Sequence, residues 1–534
     1  MSEETHAGWR NLVPFGLASP KPRHFREMAK VAWENLDSLG YAWRILRDGV
    51  CDGCSLGPRG LKDDVIEGTH LCTTRLRLLR VNTMRGFREE QVADVERLRH
   101  LTNEELQNLG RVPFPLVRRR GDRGFRRVSW DEALEIAATA IRAVAPERLG
   151  FFATSRGTTN EAYYVFQKAA RLLGSNHVDL CARLCHAASV SALKEMIGVG
   201  APTCSLRDLI GTDLVVLHGT DLANNQPVAM KYLAKAKEAG TRIVTVNPFR
   251  EPGLERYWVP SLPASAVFGT KIQDDFFQVR VGGDIAFLNG VLKALLARGL
   301  VDRTFVAEHT RGFEELERDL AKLSWGEIEA GSGLAQAEIE RFAAIYAQAK
   351  SAVWVYSMGL TQHRFGVQNV MALVNVVLAR GMIGREKCGI LPIRGHSGVQ
   401  GGGEMAVDPT KFPGAGAIGE ESAGRMSRLW GAPVPAWQGH RTPELVEACH
   451  RGEIDVLYSV GGNLLSTMPD PRFVAEALER VRLRIHQDVV FNTSTLLESG
   501  ETTLVLPAQT RYEHAGGVTS TNTERRVRFS PEIP

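Results

Sequence analysis

Cys185 and His186 are adjacent in the run Asp-Leu-Cys-Ala-Arg-Leu-Cys-His, residues 179–186, and a helix-like run over 187–197 follows at once. A thiol at the start of a helix feels the positive end of the aligned peptide dipoles, which favours its thiolate. A thiolate with an imidazole beside it can ligate a soft metal and move a proton in one place. Read alone, such a pair is more often a buried thiol beside a partly exposed imidazole, and Arg394 alone reads as a structural ion-pair residue. A second set is Cys51-Asp-Gly-Cys54 with Cys72 further on. Thiolates at this spacing can grip one metal or one cluster. Spacing alone leaves open an iron–sulfur cluster, a zinc ion with His70 as fourth ligand, and plain structural thiols. Cys181, one helical turn before Cys185, reads as a core thiol. Cys204, Cys388 and Cys449 have no partners at ligand spacing.

The elements that must position these residues repeat one grammar. Residues 130–144 place Leu134, Ala137, Ala138 and Ile141 on one helical face, with Ser129 as N-cap. A buried-strand run over 149–155 leads to a helix over 160–173. Strand, loop and helix recur over 213–219 and 227–239, then a strand over 243–246. They recur again over 352–358 with 367–379, and over 456–462 with 472–481. Repeated βα units predict an α/β protein with open, mostly parallel, doubly wound sheets. In such sheets ligands collect at the carboxyl ends of the strands.

Those ends are polar and rich in glycine: Thr154-Ser155-Arg156-Gly157, Gly219-Thr220-Asp221, Val246-Asn247-Pro248, Ser357-Met358-Gly359 and Gly461-Gly462-Asn463. None has the glycine spacing of a dinucleotide fingerprint or a P-loop, which argues against NAD and against a P-loop nucleotide. Five such loops together suggest one large ligand with several phosphates, shared between sheets.

At 534 residues the chain is long enough for three or more domains. A net charge of +4 over this length gives no argument for nucleic-acid binding. The densest basic run, Arg118 to Arg127, is broken by Gly121 and Gly124 and reads as a solvated hairpin. No apolar run approaches the roughly 18–20 residues that span a bilayer. The start, Met1-Ser2-Glu3-Glu4, is acidic and carries no secretory or twin-arginine signal, so the cytoplasm is expected. Eight cysteines in such a compartment read as ligands, nucleophiles or core residues rather than disulfides.

Several stretches resemble one family. They are Ser155-Arg156-Gly157-Thr158-Thr159-Asn160-Glu161, Tyr164 to Lys168, Asn176 to Asp179 leading to Cys185-His186, Met358-Gly359-Leu360-Thr361-Gln362-His363, Ile393-Arg394-Gly395-His396 to Gly401, and Gly461-Gly462-Asn463. In this order they resemble formate dehydrogenase alpha subunits, molybdopterin oxidoreductases of the DMSO-reductase type. The likeness runs from about residue 45 to the end. Cys-Asp-Gly-Cys and His-Leu-Cys-Thr-Thr-Arg resemble the YdeP-type branch.

The resemblance implies several α/β domains around a central cofactor cleft, with a small irregular N-terminal iron–sulfur domain. It implies an iron–sulfur region over 1–112, one pterin-binding domain over 113–180 plus 397–505, a second over 181–396, and a return segment over 506–534. The implied cofactors are a bis-molybdopterin guanine dinucleotide with molybdenum or tungsten, and one iron–sulfur cluster of the 4Fe–4S kind. Cys185 is implied as the metal ligand, His186 as the proton acceptor, and Arg394 as the residue that orients formate. Cys51, Cys54 and Cys72 are implied as cluster ligands. Arg156, Gly219, Asp221, Asn247, Met358, Gly359, Gln362, Gly462 and Asn463 are implied as pterin-cofactor contacts. The implied reaction is oxidation of formate to carbon dioxide, with electrons passed to an acceptor protein or small accessory subunit. No nucleic acid and no membrane span are expected.

The chain departs from the family's pattern in places. The segment Ser55-Leu-Gly-Pro-Arg59 offers no third cysteine after the first pair, so a fourth cluster ligand would come from Asp63, Asp64 or His70, or one iron would stay open. Thr74, followed by Arg75, stands where the family often has a lysine, and His396 where it usually has glutamine. Relatives continue into a further β-rich domain, so the chain is expected to be a fragment or to pair with a separate one. Two other functions compete: a molybdenum or tungsten oxidoreductase for another small oxyanion such as nitrate, and a molybdenum-free electron-transfer or scaffold subunit of the same fold.

Overall fold

The computed structural model describes residues 24–534, Ala415 and Arg525 apart. The first part of the expected iron–sulfur region and the acidic start of the chain, residues 1–23, lie outside the described residues. The chain divides into two compact units. Among the described residues, one holds 24–30, 54–74 and 185–395; the other holds 31–53, 75–184 and 396–534.

In the first unit five strands form a wholly parallel sheet in the order Gly389–Pro392, Ala352–Tyr356, Leu214–His218, Arg242–Val246, Asp275–Phe277. A parallel sheet is covered on both faces, so its strands must be apolar throughout. Leu-Val-Val-Leu-His and Ala-Val-Trp-Val-Tyr meet that demand, and every residue in both is buried. Leu214, Val216, Trp354 and Tyr356 point to one face. There they meet Phe287 and Leu288 of helix Asp284–Ala297, Phe342 and Tyr346 of helix Gln336–Gln348, and Leu373 of helix Gly366–Ala379. Val215, Leu217, Val353 and Val355 point to the other face, against Tyr232 and Leu233 of helix Ala229–Glu238. Cys54 and Cys72 belong to this second core.

In the second unit seven strands run in the order Arg126–Arg127, Leu116–Arg119, Thr502–Pro507, Leu483–Asp488, Val456–Val460, Leu149–Ala153, Val178–Leu180. The last five are parallel; Leu116–Arg119 lies antiparallel to Thr502–Pro507, and Arg126–Arg127 pairs back on it as the expected hairpin, though Arg118 is buried rather than solvated. Helix Trp130–Arg142 starts as expected, with Ser129 accepting from the Glu132 N–H. Its inward face differs from the expected one. Ala133 is fully buried, Ile136, Ala137, Ala140 and Ile141 pack beside it, and Leu134 is 55% exposed. Each residue turns the helix by about 100°, so a stripe centred one position earlier sends Leu134 outward.

The helix expected after Cys185 begins earlier, as Ala182–Ile197, but is broken at His186 (φ −130°, ψ 20°). Residues 187–197 are therefore a second helical run with His186 at its start. No helix among the described residues is long and apolar enough to cross a membrane.

Candidate functional site

In the first unit the break at His186 sets the geometry around Cys185. His186 is buried, and its Nδ1 lies 2.9 Å from Ser189 Oγ, one turn into the following helix. Nε2 is buried with no hydrogen-bond partner among the described residues. Tyr356, at the end of its strand, faces the ring at 6.4 Å between centroids. Burial, helped by the Arg394 guanidinium, pushes the His186 pKa down to about 3, so the imidazole is neutral near pH 7. Cys185 is half-buried, and its carbonyl accepts from Thr361 Oγ1 at 2.7 Å.

Arg394 follows strand Gly389–Pro392 and is 6% exposed. Its Nη2 donates to the Gly200 carbonyl at 3.1 Å. Its own carbonyl accepts from the Ser55 hydroxyl and, at 3.4 Å, from Gln226 Nε2. The Arg394 charge acts on the neutral His186 imidazole, and the planar fork of a guanidinium suits a small carboxylate-like anion.

The strand-end loops of this unit are tightly joined. Gly219, at φ +59°, has its carbonyl accepting from the Gly359 N–H at 2.9 Å. A Cβ on Gly359 would come 2.5 Å from the Gly219 Cα, so neither position has room for a side chain. Asn247 is buried and uses both amide atoms on the backbone of Thr220, at 3.2 and 2.9 Å. It braces the loop. Asp221 caps a short helix through the Asn224 N–H. Met358 is half-buried, and Gly359 and Gln362 are exposed.

Cys54 and Cys72 bracket a loop clamped onto helix Ala229–Glu238. His70 is fully buried, with Nε2 2.8 Å from the Val228 carbonyl and Nδ1 3.1 Å from Asp63 Oδ2. Asp63 Oδ1 accepts from the Tyr232 hydroxyl at 2.6 Å and from the Val65 N–H at 2.7 Å. Burial favours the neutral acid, but the His70, Tyr232 and Val65 hydrogen bonds together outweigh it and hold the Asp63 carboxyl well below the usual range. Lys231 Nζ donates to the carbonyls of Glu67 and Thr69 at 2.9 and 2.7 Å. Both ring nitrogens of His70 thus have near neighbours, as do both oxygens of Asp63. The described residues gather no three His, Cys, Asp or Glu side chains into a metal-holding group.

In the second unit Cys51 is buried and accepts from the Gly53 N–H at 3.4 Å. Burial pushes its thiol pKa up, against the pull of the Arg75 guanidinium. A cavity of about 1150 Å³ opens at the carboxyl ends of this unit's strands. Arg156, Gly462, Asn463, Asp488, Thr510 and Arg511 are among its lining residues. Thr510 Oγ1 and Arg511 Nε are buried there without hydrogen-bond partners among the described residues. Asn463 ties its loop to two other segments, donating to Thr493 at 2.8 Å and to Asn103 at 3.1 Å. Burial pushes the Asp488 carboxyl up to about 7, against hydrogen bonds from Val489, Val490 and Asn492. A cavity of this size, lined by Arg156 and Arg511 and carrying unmatched polar atoms, has room for a large ligand with anionic groups.

The sequence pointed to the loops but not to Ser55, Gln226, Thr361, Ser189 or Asp488. Alternating Arg484, His486 and Asp488 disguised a buried strand. The other four are small polar residues whose roles depend on contacts far along the chain.

A family model described as molybdopterin oxidoreductase matches residues 111–532. Protein YdeP of Shigella flexneri is 34% identical over 423 residues, 77% of this chain and 55% of that protein. Formate dehydrogenase H of Escherichia coli is 32% identical over 418 residues, 77% of this chain and 56% of that protein. The chain spans about half the length of these curated relatives. Acetylene hydratase from Pelobacter acetylenicus, a solved structure, matches with a TM-score of 0.65 at 16% identity. That match covers 91% of this chain and 66% of the other, and shows a shared fold alone.

Proposed function

Because the chain belongs to the molybdopterin oxidoreductase family, we propose that it oxidises formate to carbon dioxide at a centre built on Cys185, His186 and Arg394. The observation that carries the reading is that buried His186, next in the chain to Cys185, faces Tyr356, and Tyr356 pairs with Pro392, two residues before the buried Arg394. Formate dehydrogenase H is among the relatives that match.

A molybdenum or tungsten bis-pterin centre, when bound, supplies the two-electron acceptor. Cys185 offers the protein thiolate to it. Arg394 pairs its planar fork with the formate carboxylate and so fixes the substrate's orientation. Ser189 holds the His186 ring. In the tautomer that donates Nδ1–H to Ser189, Nε2 keeps its lone pair and is the atom that takes the proton. Arg156, Gly462, Asn463 and the residues around Asp488 would hold one guanine dinucleotide in the second unit. Gly219, Asp221, Asn247, Met358, Gly359 and Gln362 would form or brace the loops for the other.

Cys51, Cys54 and Cys72 are proposed as iron–sulfur ligands, and an electron-accepting protein or accessory subunit as the partner. The proposed compartment is the cytoplasm. A molybdenum-free electron-transfer or scaffold subunit is the second reading, favoured by the segment Ser55 to Arg59, which offers no third cysteine after Cys51 and Cys54. Metal and pterin analysis with formate-dependent dye reduction separates the two. Pterin and metal with formate turnover support the first, and a folded protein without either supports the second.

A further inference from the structure

We propose that Ser55 is a positioning residue for Arg394, tying the loop that carries Cys54 to the backbone of the arginine that would hold the substrate anion. The proposal rests on the reading of Arg394 given above. Ser55 directly follows Cys54 and is 2% exposed. Its hydroxyl donates to the Arg394 carbonyl, and its backbone N–H donates to the next carbonyl, Gly395, at 3.2 Å. Both hydrogen-bonding groups of one residue therefore grip the two peptide units at the arginine.

Ser357 Oγ donates to the carbonyl of the preceding residue, Ile393, at 3.2 Å. Gln226 reaches the Arg394 carbonyl with a longer bond of 3.4 Å. Gly395 has no side chain with which to hold the turn, and a Cβ built there would meet only Gln226 Nε2, at 3.8 Å. The guanidinium Nη2 donates to the Gly200 carbonyl at 3.1 Å. The Ser55 side is firm. The segment that follows it is fixed to helix Ala229–Glu238 through Asp63, His70, Tyr232 and Lys231. Ser55 thus passes the rigidity of that clamp to Arg394.

Packing alone does not require a serine here, since alanine fits the same buried volume. The hydroxyl adds an oriented bond to one carbonyl. A bidentate carboxylate contact is sensitive to small displacements of the guanidinium, so loss of this bond should weaken anion binding in the ground and transition states alike.

The test compares wild type, Ser55→Ala and Ser55→Thr as metal-loaded enzyme, in steady-state kinetics with formate and in calorimetric titration with formate. Ser55→Ala is expected to raise both KM and Kd for formate by about tenfold, as for one lost hydrogen bond. Its kcat should stay within about twofold, because uniform binding is what is removed. Ser55→Thr, which keeps the hydroxyl, should recover most of the loss. Ser55→Gly removes the hydroxyl with no added volume and repeats the test should threonine fail to fold. A merely structural serine would lower the active fraction, and so apparent kcat, with KM and Kd unchanged. That pattern, or an unaltered Ser55→Ala enzyme, overturns the proposal. A loaded wild type that neither binds nor turns over formate overturns the reading of Arg394 and this proposal with it.

Discussion

Thr361 donates its hydroxyl to the carbonyl of Cys185 across 2.7 Å. The carbonyl lies where the helix breaks at His186, so regular helical pairing is interrupted there and a side chain from elsewhere takes it up. Thr361→Val removes the donor and should destabilise the Cys185 turn by about 1–2 kcal/mol. Metal retained per protein after gel filtration should fall in Thr361→Val and hold in Thr361→Ser. Equal retention in both would show that the bond does not fix the thiolate.

Arg394→Lys keeps the charge but loses the planar fork. Formate KM is expected to rise by about a hundredfold, matching the roughly 2–3 kcal/mol of a charge-assisted bidentate contact. Steady-state kinetics over a wide formate range check this. A lysine variant with wild-type KM would mean that the guanidinium does not contact substrate.

Much of the fold was legible because alternating βα units leave a strong trace. The strands Leu214–His218 and Ala352–Tyr356 are continuous apolar runs, and the helices Ala229–Glu238 and Gly366–Ala379 fall where the strand–loop–helix order puts them. Strand Leu483–Asp488 was not legible, since Arg484 is buried among Ser494, Leu497 and Ser499 and mimics a surface residue in the sequence. Cys185, His186 and Arg394 could be picked out by residue type and resemblance. Ser55 and Gln226 could not, because their meaning lies in a carbonyl more than a hundred residues away. His70 looked like a metal ligand in the sequence. In the structure its nitrogens face Asp63 and the Val228 carbonyl.

The Asp63–His70 contact gives a stability prediction. His70→Ala leaves a buried carboxylate short of a partner and should cost about 3 kcal/mol, whereas Tyr232→Phe should cost about 1 kcal/mol. Asp63 has its pKa lowered in the folded state, so its contribution is present at neutral pH and is lost as pH falls below the ordinary carboxylate range. Urea unfolding of the two variants at pH 7 checks the order. A His70→Ala protein as stable as wild type would remove the clamp from the account.

Asp488 has the opposite sign. Its carboxyl is raised to about 7 when folded, from an ordinary value of 3.8. Between those values the folded chain keeps a proton that the unfolded chain has lost, so this group lowers stability as pH rises and levels off above about pH 7. Asp488→Asn should therefore stabilise cofactor-free protein at pH 8 by about 1–2 kcal/mol and by less at pH 5. Unfolding curves at the two pH values decide it, and an equal effect at both would contradict the assigned burial cost.

The central claim is that Cys185, His186 and Arg394 form a metal–pterin centre that oxidises formate. It is tested most directly on purified protein, by measuring molybdenum, tungsten and pterin alongside formate-dependent dye reduction, for wild type and Cys185→Ala. The account predicts metal and pterin in wild type with formate-dependent reduction, and loss of that reduction by at least about a thousandfold in folded Cys185→Ala. A fully loaded wild type inert to formate, or a Cys185→Ala protein with undiminished turnover, would contradict it.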